Sequence, residues 1–217
     1  EIKNQLSLHN KITIGFVGSI LKWHGIDILI EGFKETQKLT KKNIHLLIIG
    51  NGEDLDYYKK KASNLNVQNV TFTGSIPKTE IPNYIKSLDI AVMTNTNWYG
   101  SPIKIFEYGA LSKAMLLINS IPILDVVTPE KDAVMMPEAS VKFCTEGLLK
   151  LIHSKELREE IGRSFHLKIK EKYSWETHAQ KIIKSNAYGT GQLHIDNYQI
   201  ENFKIPVLGE VFDLVTE

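Results

Sequence analysis

The chain repeats one unit several times: a short, uninterrupted apolar run rich in β-branched residues, a break containing glycine or polar residues, then a stretch with helical spacing. Residues 11–17 (KITIGFV) end at Gly18, and from Gly25 onward Ile26, Leu29, Ile30 and Phe33 mark one helical face up to Leu39. Ile44–Ile49 (IHLLII) ends at Gly50-Asn51-Gly52, and residues 53–65 are charged and amphipathic. Val70–Phe72 leads into Thr73-Gly74-Ser75, and 80–87 reads as a short helix with Pro82 in its first turn. Residues 89–93 form a strand, 103–111 a helix and Ala114–Ile118 another strand. Strands without polar alternation are covered on both faces, and the intervening helices supply the cover. The pattern therefore predicts a doubly wound α/β domain with a parallel sheet. Ligands of such sheets sit outside the carboxyl ends of the strands. That singles out the loops at 18–25, 50–53, 73–77 and 94–102.

The last third changes character. Residues 145–153 and 155–172 read as surface helices, the second capped by Ser154, and Ser174 caps a third predicted over 175–184. Beyond Ala187 the period stops and Gly189-Thr190-Gly191 interrupts the chain. The expected organisation is one domain over 1–188 and a tail over 189–217, which is a linker, a packing arm or the start of a further unit. At 217 residues the chain buries a core without staples. The net charge of +1 provides no field for nucleic acid. Cys144 is the only cysteine, which excludes an internal disulfide and a cysteine-based zinc cluster. A reduced, cytoplasmic setting is the simplest reading. No apolar run approaches the roughly 20 residues of a membrane span, so contact with a membrane is expected only peripherally, through a larger parent. The chain begins at Glu1 rather than Met, which fits an excerpt of a longer protein or a processed form.

Three loops have the residue types for binding an anion. After the first strand, Gly18 permits close approach of a ligand to the backbone, and Lys22 and His24 add cationic character beside a helix beginning near Gly25. An ordinary strand–helix turn with two solvated charges has the same sequence. Gly50-Asn51-Gly52 fits a tight turn, with Glu53 and Asp54 suited to the first helical turn. The densest stretch is Asn95 to Ala110. Ser101 can cap a helix starting at Pro102. Lys104 and Glu107, three apart, share its face near the ligand-binding edge; elsewhere such a pair reads as a surface salt bridge.

Taken in order, these segments resemble the C-terminal domain of retaining GT-B glycosyltransferases of family four (glycosyl transferases group 1). The resemblance spans about residues 11–184. Val17-Gly18-Ser19 with His24-Gly25-Ile26-Asp27 is similar to the family's first phosphate loop, and Leu47 to Gly52 to its second glycine segment. Val70 to Gly74 with Leu88-Asp89-Ile90, Ser101 to Tyr108, and Tyr173-Ser174-Trp175 match the later motifs. Ser101 to Tyr108 looks like the SPxKxxEY version of the E-x7-E motif.

The resemblance implies a Rossmann-like half of a GT-B fold that binds a nucleotide-diphospho-sugar such as a UDP- or GDP-sugar. It implies retention of configuration, no metal or other cofactor, and a place in bacterial surface polysaccharide or glycoconjugate synthesis. Glu107 matches the glutamate that takes the ribose hydroxyls; Ser101, Pro102 and Ile103 match the backbone that meets the diphosphate; Gly18 matches the close-approach glycine; and Gly74 matches the loop bordering the base. Lys104 stands beside them. Several positions depart from the pattern: Tyr99 replaces the first glutamate, Ser19 an arginine, His24 a lysine, Ser112 a glycine and Ala114 a proline. No catalytic residue is assigned, because the acceptor site belongs to an N-terminal domain that these residues do not contain, and the segment alone is expected to be inactive. If His24 faces a diphosphate, binding weakens as pH rises through the histidine range. A non-catalytic nucleotide- or sugar-binding module and a GT-B sugar-nucleotide epimerase are the alternative readings.

Overall fold

A computed structural model of the chain describes residues 2–97, 103–174, 177, 179 and 180. In chain order the elements are α1 (Ile2–Gln5), β1 (Ile12–Val17), α2 (Ile26–Leu39), β2 (Ile44–Ile49), α3 (Leu55–Asn64), β3 (Val70–Phe72), α4 (Ile81–Lys86) and β4 (Ile90–Met93). There follow α5 (Ile103–Ala110), β5 (Ala114–Ile118), α6 (Ile121–Leu124), β6 (Val134–Met136), α7 (Val141–His153) and α8 (Lys155–Lys172). Short 3-10 turns occupy Lys22–His24 and Lys78–Glu80.

The strands form one parallel sheet in the order β3-β2-β1-β4-β5-β6. β2 is buried along its whole length; its sequence is apolar except for His45, whose Nε2 lies 2.9 Å from Thr71 Oγ1 on β3. Right-handed crossovers put α2 and α3 on one face and α4 and α5 on the other. α7 then packs on α2, and α8 on α5. Gly32 lets α2 approach α7, since a Cβ there would lie 2.7 Å from Cys144 Sγ. The same contact explains why Cys144 is fully buried.

The strand order reverses between β1 and β4. β1 pairs with β2 from Ile12↔Ile44 to Val17↔Ile49, but with β4 only at Ile14↔Ile90 and Gly15↔Ala91. The two central strands therefore part toward their carboxyl ends, and this opening is where a doubly wound sheet receives its ligand.

Several elements differ from the sequence expectation. α1, α6 and β6 are each four residues or fewer, too short to display a period. α7 begins at Val141 rather than 145, because the Ser140 hydroxyl caps it by accepting the Phe143 N–H at 3.4 Å. α8 has the predicted bounds, with Ser154 Oγ accepting the Leu157 N–H at 3.0 Å. Ser174 Oγ accepts the Thr177 N–H at 3.2 Å, the geometry of the predicted cap. Most of the helix predicted over 175–184, and the tail over 189–217, lie outside the described residues.

α8 is anchored through the fully buried Asp132. Its carboxylate accepts from the Thr128 N–H at 2.8 Å, from Ser164 Oγ at 2.8 Å and from the Lys168 ammonium. Burial works to raise the Asp132 pKa, but these hydrogen bonds outweigh it and hold the carboxyl below its ordinary range. The chain leaves α5 through Ser112, whose φ of 53° is left-handed. The Lys113 N–H then returns to the Tyr108 carbonyl at 2.9 Å. The glycine expected at position 112 would adopt this conformation without strain.

Candidate functional site

A cleft of about 440 Å³ lies across the carboxyl ends of β1, β2 and β3 and against the first turns of α5. Val17 and Ile49 form its floor, and the loops after β1 and β2 contribute Gly18, Ser19, Gly50 and Asn51. The segment after β3 contributes Ser75, Ile76 and Lys78; Ile103, Lys104 and Glu107 close the α5 side.

Two backbone features create the space. Gly18 has φ 144°, and a Cβ on it would lie 2.9 Å from Lys104 Nζ. A side chain at position 18 would therefore displace the ammonium from the cleft edge. A Cβ on Gly50 would lie 2.0 Å from the Gly18 carbonyl oxygen, so the two loops touch backbone to backbone. The contact continues as a ladder. The Gly18 N–H donates to the Ile49 carbonyl at 3.0 Å, the Ile20 N–H to Asn51 at 2.9 Å, and the Asp54 N–H back to Ile20 at 3.2 Å. The Asp54 carboxylate completes it, accepting the Lys22 N–H at 2.9 Å. Asp54 thus fixes the preceding loop instead of capping α3.

The charged groups are unevenly supported. Lys104 is largely buried. Its Nζ stands 3.5 Å from His24 Nδ1 and 4.1 Å from the centroid of the Phe16 ring. It does not form the surface salt bridge with Glu107 that their spacing allows. Burial, only partly offset by the Glu107 charge, pulls its pKa from 10.5 down to about 7. Burial raises the Glu107 carboxyl above its ordinary range, and the nearby Lys104 charge opposes the shift.

His24 is 5 % exposed, wedged between the Trp23 and Phe16 rings at centroid distances of 3.6 and 5.1 Å. Burial, with Lys104 adding to it, pulls its pKa down to about 3. The expected titration of His24 in the histidine range is therefore corrected: the imidazole is neutral at physiological pH because its surroundings are apolar and its polar neighbour is a base.

Of the residues singled out from sequence, Gly18, Ser19, Ile103, Lys104 and Glu107 line the cleft together. Gly74 supports the rim, with φ 72° and a bridge to Gly50. Lys22 and His24 do not line it. Lys22 points toward α3, 3.9 Å from the Asp54 carboxylate and 6.0 Å from the Tyr57 ring centroid. The N–H groups of His24 and Gly25 are already bonded to Leu21 and Lys22, at 3.0 and 3.1 Å. Thr94 Oγ1 ties this turn to β4 through the Gly25 carbonyl at 2.6 Å. Tyr99, Ser101 and Pro102 lie outside the described residues.

Asn51, Ser75, Ile76, Lys78 and Ile81 also line the cleft, and sequence reasoning does not single them out. All but Lys78 and Ile81 fall in loops already marked by their position after a strand, which is the available signal. Tyr108 is a further omission. Fully buried, it supports the cleft from beneath through its hydroxyl, which accepts the Val17 N–H at 2.9 Å.

Comparison with known proteins agrees with this architecture. Residues 1–165 match the family model described as glycosyl transferases group 1. An uncharacterized glycosyltransferase of Methanocaldococcus jannaschii, MJ1069, is 27 % identical over 175 residues, covering 81 % of this chain and 45 % of that protein. The chain thus spans less than half the length of that relative. Among solved structures, the C-terminal domain of the group 1 glycosyl transferase LpcC from Francisella tularensis superposes with a TM-score of 0.71 at 22 % identity, covering 79 % of this chain and 91 % of that domain. Anabaena HepE, solved in complex with UDP, gives a TM-score of 0.76 at 16 % identity, covering 86 % of this chain and 51 % of that one. At these identities the structural matches speak for the fold. Among the described residues no helix is long and apolar enough to cross a membrane.

Proposed function

The chain belongs to the glycosyl transferases group 1 family, and on that premise we propose that it is the domain of a retaining glycosyltransferase that binds the nucleotide-sugar donor. The observation carrying this reading is the cleft at the point where β1 and β4 part. It combines a close-approach glycine, a largely buried lysine and a carboxylate within one helical turn of that lysine.

Each part has a role in binding a nucleoside diphosphate. The bare backbone at Gly18, beside the Lys104 ammonium, admits phosphate oxygens, and Gly50 lets the two loops pack close enough to form that wall. Lys104 supplies positive charge in a poorly solvated setting, where charge stabilisation is strongest. The Glu107 carboxylate accepts two ribose hydroxyls. Ile76 and Ile81 offer an apolar wall on the opposite side, bordered by Ser75 and Lys78. The presence of UDP in HepE, which shares the fold, supports a nucleotide occupant.

The proposed leaving-group chemistry uses cations and backbone N–H groups and no metal. Asp54 of the Asp54-Leu55-Asp56 run is committed to the Lys22 N–H, while Asp56 lies 3.8 Å from Lys59 on an exposed surface. The acceptor site and the remaining catalytic groups come from a partner domain of a longer parent, so this segment binds donor without transferring sugar. A role in bacterial surface polysaccharide or glycoconjugate synthesis rests on the family resemblance.

Calorimetric titration with UDP- and GDP-sugars tests donor binding, and sugar transfer by the parent protein tests the reaction. Saturable binding of one nucleotide class, weakened about tenfold to a hundredfold by Glu107→Gln, is expected. Absence of binding to every nucleotide sugar tried, with the fold intact, overturns the reading. A purely binding role is favoured by one observation. Lys22 and His24 do not line the cleft, which leaves Lys104 and Lys78 as its lysines among the described residues. Donor binding without transfer by the parent is the outcome that selects it.

A further inference from the structure

We infer that donor binding in this cleft is coupled to proton uptake: Lys104 is the acceptor of the proton, and the anionic ligand binds the form in which Lys104 is charged. The inference rests on the donor-binding reading above and concerns the regulation of that same site.

Among the described residues Lys104 has no ion-paired acid, and the Glu107 charge only partly offsets its burial. On the β1 side it meets the Phe16 ring and the Gly18 backbone, neither of which carries charge. From the 22–24 turn it meets His24 at 3.5 Å, a neutral base held under Trp23. On α5 the titratable neighbours are Glu107, which closes no ion pair with it, and Tyr108, whose hydroxyl is committed to the Val17 amide. Across the cleft, Lys78 adds like charge. An ammonium so placed is poorly hydrated and, among the described residues, has no ion-paired acid, which is the condition for losing its proton near neutrality. Consistent with this, its pKa falls to about 7.

A diphosphate laid along Gly18 reverses the balance. It brings two negative charges to the open side of Nζ, and the charged form becomes the favoured one. By linkage, ligand binding then draws a proton from solvent wherever the free lysine is partly neutral. Uptake should be near zero at about pH 5.5, about half a proton per ligand at about pH 7 and close to one at about pH 8.5. Affinity should fall up to about tenfold per pH unit above about 7. The sign matches what His24 titration would give, but the midpoint is that of Lys104.

The test is calorimetric titration of the 217-residue chain in PIPES and in Tris, buffers with different ionisation enthalpies, at three pH values. The probes are UDP-glucose and GDP-mannose, whose diphosphate diesters exchange no proton over the neutral range. The difference in heat between buffers reports proton uptake directly. Lys104→Arg should abolish uptake, because its charge is permanent, and whatever affinity it retains should no longer fall above about pH 7. Lys104→Met should abolish uptake and weaken binding about tenfold to a hundredfold. His24→Gln should leave uptake in place. Binding without uptake in the unmodified chain, uptake surviving in either Lys104 variant, or uptake lost in His24→Gln each overturns the proposal and leaves the donor-binding reading standing. If neither probe nor any other nucleotide sugar binds the folded chain, that reading fails and the proposal with it.

Discussion

The Tyr108 hydroxyl accepts the Val17 amide hydrogen at 2.9 Å, inside the protein, at the point where β1 has parted from β4. A side chain from α5 thus takes the place of the neighbouring strand and satisfies a buried donor next to the cleft floor. Tyr108→Phe keeps the ring and strands that donor, so the protein should lose about 1–3 kcal/mol of stability. Urea denaturation with an unchanged m-value checks the size of the effect. A loss within experimental error would mean that β1 relaxes onto another acceptor.

Lys104 predicts how stability of the free protein depends on pH. Its folded pKa of about 7 lies below the 10.5 of the unfolded chain, so between those values the unfolded state binds the extra proton. Stability should therefore rise with pH across that window, by at most about 1.4 kcal/mol per pH unit from this group. Lys113, drawn down by burial to about 8, acts in the same direction over the upper part of the window. Lys104→Met should be more stable than the parent near neutral pH and show a shallower rise. Denaturation midpoints at several pH values measure both.

Glu107→Gln should weaken nucleotide-sugar binding about tenfold to a hundredfold, the loss expected for a charged acceptor replaced by a neutral one that can still form one bond. Because Glu107 and Lys104 do not form a mutual ion pair, the fold should tolerate the exchange. Titration calorimetry against thermal stability separates the two effects. An equal loss in both would indicate a structural role.

Ser112 occupies left-handed backbone at φ 53° with its side chain exposed. Ser112→Gly removes the Cβ penalty and should stabilise the protein by about 1 kcal/mol. Replacement by Val, branched at Cβ, should have the opposite effect. Chemical denaturation of the two variants gives the comparison.

The fold is readable from the sequence because its determinants are local and periodic. Unbroken runs such as Ala114–Ile118 fit only a sheet covered on both faces, and the α2 stripe of Ile26, Leu29, Ile30 and Phe33 fits only one buried helical face. What escapes is either too short to show a period, as with Val134–Met136, or decided by tertiary contact. His24 is the clearest case. Its place beside Lys22 in a loop between Gly18 and Gly25 suggests a titrating group beside an anion, whereas burial between the Phe16 and Trp23 rings makes it neutral. Asp54 misleads for the same reason, since the amide it binds belongs to a loop 32 residues away. Glu107 and Lys104 are legible as a pair, but their lack of pairing follows only from packing.

The contact between the loops after β1 and β2 has a consequence for how this protein can change. A Cβ at Gly50 would lie 2.0 Å from the Gly18 carbonyl oxygen, and one at Gly52 would lie 2.3 Å from that of Ile20. Neither neighbour is a side chain that can rotate away. Sequence drift is therefore blocked in this half of the cleft, where almost any replacement forces the two loops apart. Ser75, Ile76 and Lys78 face the same space with side chains instead of bare backbone in contact with a second loop. Ligand preference in descendants of this chain, natural or selected in the laboratory, should diverge through those positions while the glycine pair persists.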